Sequence, residues 1–165
     1  MLPEAVTRLR SRFGGRCGYC GVEEVDVGAT LTVDHHRPRI RGGGDDEDNL
    51  VYACARCNEH KGSYWHAADP PGIALLHPGR DDLRAHVREL EDGRLEGVTE
   101  EGDFFIHRLR LNRAPLVRYR ARRSALRRAE EEIEAGRRRI RELEARVEAL
   151  HGTIAAVDDE IDRER

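Results

Sequence analysis

Aromatic side chains make up only 5% of this chain, and it contains one methionine and one tryptophan. Hydrophobic residues, at 38%, barely outnumber charged ones, at 37%. That balance excludes one large core spread over all 165 residues and predicts that part of the chain is extended or rich in surface. No run approaches the ~20 consecutive apolar residues of a membrane span, so no membrane partner is expected. The opening MLPEAVTRLRSRF lacks the apolar centre of a secretory leader. It reads instead as an amphipathic helix with Pro3 in the first turn and Val6, Leu9 and Phe13 on one face. The expected setting is a reducing cytoplasm, where cysteines in pairs argue for metal rather than disulfides.

Lysine is nearly missing, Lys61 being the only one among 29 basic residues. Acid is missing from one stretch. Between Phe104 and Ala129 there are nine arginines and no carboxylate, so that segment carries +9 within a chain of net charge −3. Such a patch suits a polyanion, although a solvated helix face has the same composition. Arg118, Arg120, Arg122 and Arg123 from this run are candidate nucleic-acid contacts.

Four cysteines are present, as CGYC (17–20) and CARC (54–57). Two Cys-x-x-Cys turns holding Cys17, Cys20, Cys54 and Cys57 complete a tetrahedral shell suited to a structural Zn²⁺, which would staple a small domain with little core. The gap between the pairs exceeds ordinary zinc-ribbon spacing, so something is inserted there. Within it, ATLTVD alternates and reads as a strand ending near Asp34, RGGGDDED as a turn, and NLVYA as a second strand; CNEHKGSYW reads as helix. The acidic run from Asp45 to Asp48 reads as turn chemistry and negative charge near a helix start, with metal binding as the alternative.

Strict alternation would put Asp34 and His36 on one face and His35 on the other. Pro38 and the glycines end the strand, so period two need not hold past Asp34. The residues alone leave the choice of histidine open.

The ordered set Asp34-His35-x-x-Pro38, Gly43-Gly44, Asn49-Leu50, Cys54-x-x-Cys57-Asn58 and Lys61, enclosed by Cys17-x-x-Cys20, resembles the HNH endonucleases with their ββα-metal site. The likeness covers about residues 17–62, and Asn58 stands where some members carry a second histidine. It implies that His35 is the general base and that Asp34 and Asn58 hold one divalent ion, Mg²⁺ or another. It further implies that Asn49 fixes the histidine-bearing loop and that the substrate is DNA. Lys61 is expected either to contact a phosphate or to be a solvated helix residue. Arg37, Arg39 and Arg41 are expected to grip the backbone. His36 is expected to line the groove, and His60 and His66 to be surface or packing residues. His77, His86, His107 and His151 have no identified partner.

Beyond this, residues 63–115 carry turn signals at 69–72, 77–79 and 92–93, a short strand in RLEGVT, and a helix capped by Thr99 with Phe105, Ile106 and Leu109. After Pro115 a heptad emerges. Tyr119, Leu126, Ile133, Ile140, Val147, Ile154 and Ile161 recur as a positions, with Ala129, Gly136, Leu143, Leu150 and Val157 at d. β-branched a residues with Leu at d favour a parallel pair. In that register Glu132 faces Arg137 of a second copy, Arg139 faces Glu144, and Glu160 faces Arg165; Arg146 against His151 is not attractive. The alternative is a helix folded back on its own domain.

The expected fold is α+β. A small zinc-stapled ββα-metal domain over 1–115 (core 13–62, extension 63–115) precedes a basic connector and coiled-coil helix over 116–165. The expected partners are DNA and a homodimer through residues 119–161, or a partner's coil. The expected activity is metal-dependent DNA hydrolysis; the alternatives are a partner-controlled nuclease subunit and a silent nucleic-acid-binding adaptor.

Overall fold

The alternating ATLTVD segment forms strand β1 (Thr32–His35), and the uniformly apolar LVYA forms β2 (Leu50–Ala53) in the computed structural model, which describes residues 3–67 and 72–163. The turn expected at 69–72 thus lies largely outside the described residues. The strands pair antiparallel, with Thr32 opposite Ala53 and His35 opposite Leu50. All four β2 residues are buried, because both its faces are covered. Helix α1 (Pro3–Arg12) lays Leu9 into that core. A short helix α2 (Glu24–Val27) precedes β1, and α3 (Ala55–Lys61) follows β2 directly. The order strand, turn, strand, helix is the one read from the sequence. Between the strands the chain makes two single 3₁₀ turns, over 39–41 and 47–49.

Residues after 72 add a second small layer. Helix α4 (Leu83–His86) leads into a hairpin of β3 (Val87–Glu89) and β4 (Leu95–Gly97). Gly93 sits in its turn at φ 83°, where a Cβ would lie 2.4 Å from the Val117 carbonyl; only glycine combines that angle with that approach. Thr99 caps α5 (Glu100–Arg108) by accepting from Gly102 N at 3.1 Å. Phe105, Ile106, Leu109 and Leu111 join the core with Leu50, Val51 and Tyr52. Burying one such side chain contributes about 1.5–3 kcal/mol.

The last helix, α6 (Ala114–Arg163), is unbroken by proline after Pro115 in its first turn. The chain divides into two compact units, Met1–Arg122 and Arg123–Arg165. The first extends past Pro115 because Leu116 is buried in the core and Tyr119 packs against it. In the second, the heptad residues Leu126, Ile133, Ile140, Leu143, Val147, Leu150, Ile154 and Ile161 are 43–61% exposed. Ion pairs within that helix, such as Arg139 to Glu142 at 3.3 Å, contribute a few tenths of a kcal/mol each. Among the described residues no helix is long and apolar enough to cross a membrane.

Candidate active site and metal centre

Two turns bring the cysteines together. After Cys17 the chain reverses through Gly21 at φ 72°, whose N–H donates to the Cys17 carbonyl at 2.8 Å. Gly18 N donates to Tyr52 O at 2.8 Å, tying this turn to β2. Cys54 is the N-cap of α3, so Cys57 lies one turn away on the same face. The four buried sulfurs lie within 4.8 Å of one another, and Cys20 Sγ is 3.8 Å from Cys54 Sγ. A tetrahedron with Zn–S bonds of about 2.3 Å has edges of about 3.8 Å, so the donor set fits a Zn²⁺ ion. Hydrogen bonding among the thiols, with Cys17 first, pulls the Cys54 pKa down and pushes that of Cys57 up. Arg113 Nη2 stands 3.6 Å from Cys57 Sγ and 4.0 Å from Cys54 Sγ, where its charge offsets thiolate.

Beside this cluster, a cavity of about 300 Å³ is lined by Asp34, His35, Arg39, Asn58, Lys61 and Ser63, among others. β1 contributes Asp34 and His35, and α3 contributes Asn58 and Lys61. The Asp34 carboxylate is 5% exposed and held from both sides. Tyr19 OH donates to Oδ2 at 2.6 Å and Lys61 Nζ donates to Oδ1 at 3.0 Å. Burial and Asp34 together keep Tyr19 in its neutral form. Each carboxylate oxygen still has a lone pair for a cation. Asn58 Nδ2 reaches Thr32 Oγ1 at 3.5 Å. Two hard oxygen donors beside room for several waters, at about 30 Å³ each, fit a hydrated Mg²⁺.

Lys61 corrects an expectation. It is fully buried, so it is not a solvated helix residue, and its ammonium is committed to Asp34 and to the His35 carbonyl at 2.8 Å rather than offered to a phosphate. Burial lowers its pKa and Asp34 opposes the drop. His36 is the second correction. Alternation persists to this point, with Asp34 and His36 buried and His35 half-buried. His36 does not line the cavity; it packs edge-on to Trp65 and His77, at 6.1 and 4.6 Å between ring centroids. Burial holds the pKa of both His36 and His77 down to about 4, so each ring is neutral. Arg120 is the third. It is 2% exposed and donates to Gly93 O at 2.6 Å and Leu111 O at 2.8 Å, so it fastens the hairpin and is not available to a nucleic acid.

The remaining candidates fall on the surface. Arg37, Arg41, Arg118 and Arg122 are exposed, and Arg123 is half-buried. Arg37 lies over the Trp65 ring at 5.5 Å. Arg39 is exposed but engaged, its Nη2 meeting Asp45 Oδ1 at 2.5 Å. Asn49 makes three bonds: it accepts from Arg37 N at 2.8 Å and donates to Gly44 O at 2.8 Å and Arg37 O at 3.1 Å. Of the histidines without an assigned partner, His86 Nδ1 meets Thr99 Oγ1 at 2.8 Å and His107 Nδ1 meets Asp103 O at 2.8 Å. His77 Nδ1 accepts from Gly79 N at 3.1 Å.

Two residues of the site were not singled out by the sequence. Tyr19 sits inside the first cysteine turn, and a turn that carries metal ligands aims its intervening side chains at whatever packs beside it. Asp45 lies in an acidic turn, and its Oδ1 is 2.6 Å from His35 Nε2.

The family model for HNH endonuclease matches residues 17–64, the stretch that contains both cysteine pairs, Asp34, His35, Asn49, Asn58 and Lys61. No curated protein matches the chain, and no solved structure does.

Proposed function

We propose, from the HNH endonuclease domain that residues 17–64 form, that this chain is a metal-dependent endonuclease hydrolysing DNA phosphodiester bonds. The observation that carries the reading is one cavity lined by an imidazole, a buried carboxylate and an amide from the adjoining helix. His35 takes the proton from the attacking water, the role a positioned imidazole fills in general-base catalysis. Asp34 and Asn58 supply the oxygen donors for one divalent ion, and Lys61 with Tyr19 keeps the Asp34 carboxylate in place. A bound Mg²⁺ would stabilise charge on the departing oxygen and template the phosphate. Asn49 ties the segment after His35 to the turn before β2. Exposed Arg37 and Arg41 meet the nucleic-acid backbone, giving affinity without reading bases.

One such site cuts one strand. The exposed heptad face of α6, with Glu132 and Arg139 complementary to Arg137 and Glu144 of a second copy, supports a parallel homodimer that brings two sites to a duplex. The same exposed face supports a second reading, in which a different protein's coil pairs with it and controls the nuclease.

The test is incubation of purified protein with supercoiled plasmid and Mg²⁺, beside an EDTA control and His35→Ala. Cleavage that needs the metal and drops by about 100-fold or more in His35→Ala is expected. Cleavage that survives the substitution contradicts the assignment of the base, and a DNA-binding protein that never cuts supports the adaptor alternative.

A further inference from the structure

His35 does not stand alone in the cavity wall. Its Nε2 lies 2.6 Å from Asp45 Oδ1, and Arg39 Nη2 grips both Asp45 oxygens, at 2.5 and 2.7 Å. A carboxylate offers only lone pairs, so at that distance the proton of the neutral ring is on Nε2. Arg39 Nε is also 3.2 Å from Nε2, but a nitrogen that carries the proton cannot accept from it. The guanidinium therefore serves the carboxylate. Asp45 is ionised at neutral pH, held down to about 2 by the His35 hydrogen bond and then by Arg39. Nδ1 is left as the lone-pair nitrogen, and no described residue is hydrogen-bonded to it.

The loop that carries Asp45 is fastened along its length, although the side chain is 59% exposed. Gly43 N donates to Pro38 O at 3.0 Å, and a Cβ on Gly43 would lie 1.8 Å from the Arg37 carbonyl, so the two strands of the loop touch. Asn49 holds the Gly44 carbonyl, immediately before Asp45. From α1, Arg8 Nε binds Glu47 Oε1 at 2.7 Å and Arg12 Nη1 binds the Glu47 carbonyl at 2.9 Å. Four separate anchors thus fix where Asp45 meets the ring.

We infer that Asp45 is a positioning residue for His35: it fixes the Nε2–H tautomer and leaves Nδ1 as the atom that takes the proton from water. The inference rests on the nuclease reading of the same site. As Nδ1 gains that proton, the ring becomes an imidazolium facing a carboxylate already in contact with its far side, which stabilises the charge as it forms. An opposite role has the same static contact. A carboxylate clamped by Arg39 also resembles a phosphate, and Asp45 would then be a plug that DNA must displace. The two roles predict opposite signs.

The experiment compares the full-length wild type with Asp45→Ala and Asp45→Glu on plasmid with Mg²⁺, beside ¹⁵N NMR of the histidine rings at pH 8. As a positioning residue, Asp45→Ala lowers kcat by about 10- to 100-fold with KM for DNA little changed, and Asp45→Glu restores part of the loss. Equal or faster cleavage by Asp45→Ala overturns the inference in favour of a plug. A fall confined to KM also overturns it. The NMR experiment does not depend on cleavage. Wild-type His35 is expected as the Nε2–H tautomer and Asp45→Ala as a mixture, whereas a wild-type Nδ1–H tautomer overturns the inference even if the protein cuts nothing. A wild type that cuts nothing but shows the Nε2–H ring sinks the nuclease reading alone.

Discussion

Up to Arg122 the chain buries most of its large apolar side chains, Val25, Val27, Ile40 and Val98 excepted, and from Arg123 the described ones are exposed. Leu50, Val51, Tyr52, Leu109 and Leu111 are at most 1% exposed, whereas Ile133, Ile140 and Ile154 are each 57% exposed. The first unit is stabilised from within, by a modest core and a four-cysteine cluster that fits zinc. The second has an apolar seam of the right period whose described residues are 43–61% exposed. The difference teaches that the composition, too polar for one large core, is an average over a domain that buries its own core and a helix whose apolar seam is exposed.

The largest expected effect separates the two regions cleanly. Stripping zinc with a chelator, or Cys54→Ser, removes ligation that contributes on the order of 10 kcal/mol in small zinc domains. All four tyrosines and Trp65 lie before Arg123, so the near-ultraviolet circular dichroism of the first unit should collapse. The far-ultraviolet helical signal of residues 123–163 should persist. Loss of both together would mean that the two regions fold as one.

Next comes Lys61→Met, which leaves the Asp34 carboxylate buried without its cation. Breaking such a pair costs about 3–5 kcal/mol, read by urea unfolding of the first unit. The pair is 0% and 6% exposed at its side chains, so solvent screening does not soften this. A loss below about 1 kcal/mol would show that Tyr19 alone sustains Asp34.

Ile140→Asp puts a charge in the seam of the second region. Sedimentation should show the assembled chain becoming monomeric, with the thermal midpoint of the first unit unchanged. A variant that stays assembled would mean that the seam is not the interface. The smallest effect belongs to Gly136→Ala. A Cβ there meets nothing within 4 Å, and the helix should gain about 1 kcal/mol, seen as higher helicity of α6 on heating.

The sequence made visible whatever is written locally. Alternation in ATLTVD, an apolar LVYA, cysteines three apart and Thr99 before its helix each depend on a few neighbouring residues, and β1, β2, the cysteine cluster and the α5 cap appear where those patterns put them. The helix expected over CNEHKGSYW is shifted, starting at Ala55 and stopping at Lys61 before Gly62 at φ 55°. Contacts across tens of residues were not visible. Nothing near Lys61 says that its ammonium meets a carboxylate 27 positions earlier. Nor does a run of nine arginines say that Arg120 faces inward to the Gly93 carbonyl while Arg118 faces out. Asp45 was hidden by its company, since four consecutive acids read as turn chemistry. The three-residue strand β3 was too short for a period to register.

In the proposed mechanism one unit carries the cutting site and the other brings two copies together. The most direct measurement is the time course of nicked and linear products from supercoiled plasmid with Mg²⁺, for the wild type and full-length Ile140→Asp. Retained nicking with loss of the linear product is the predicted result. Linear product formed at the wild-type rate by a variant that sediments as a monomer would contradict it.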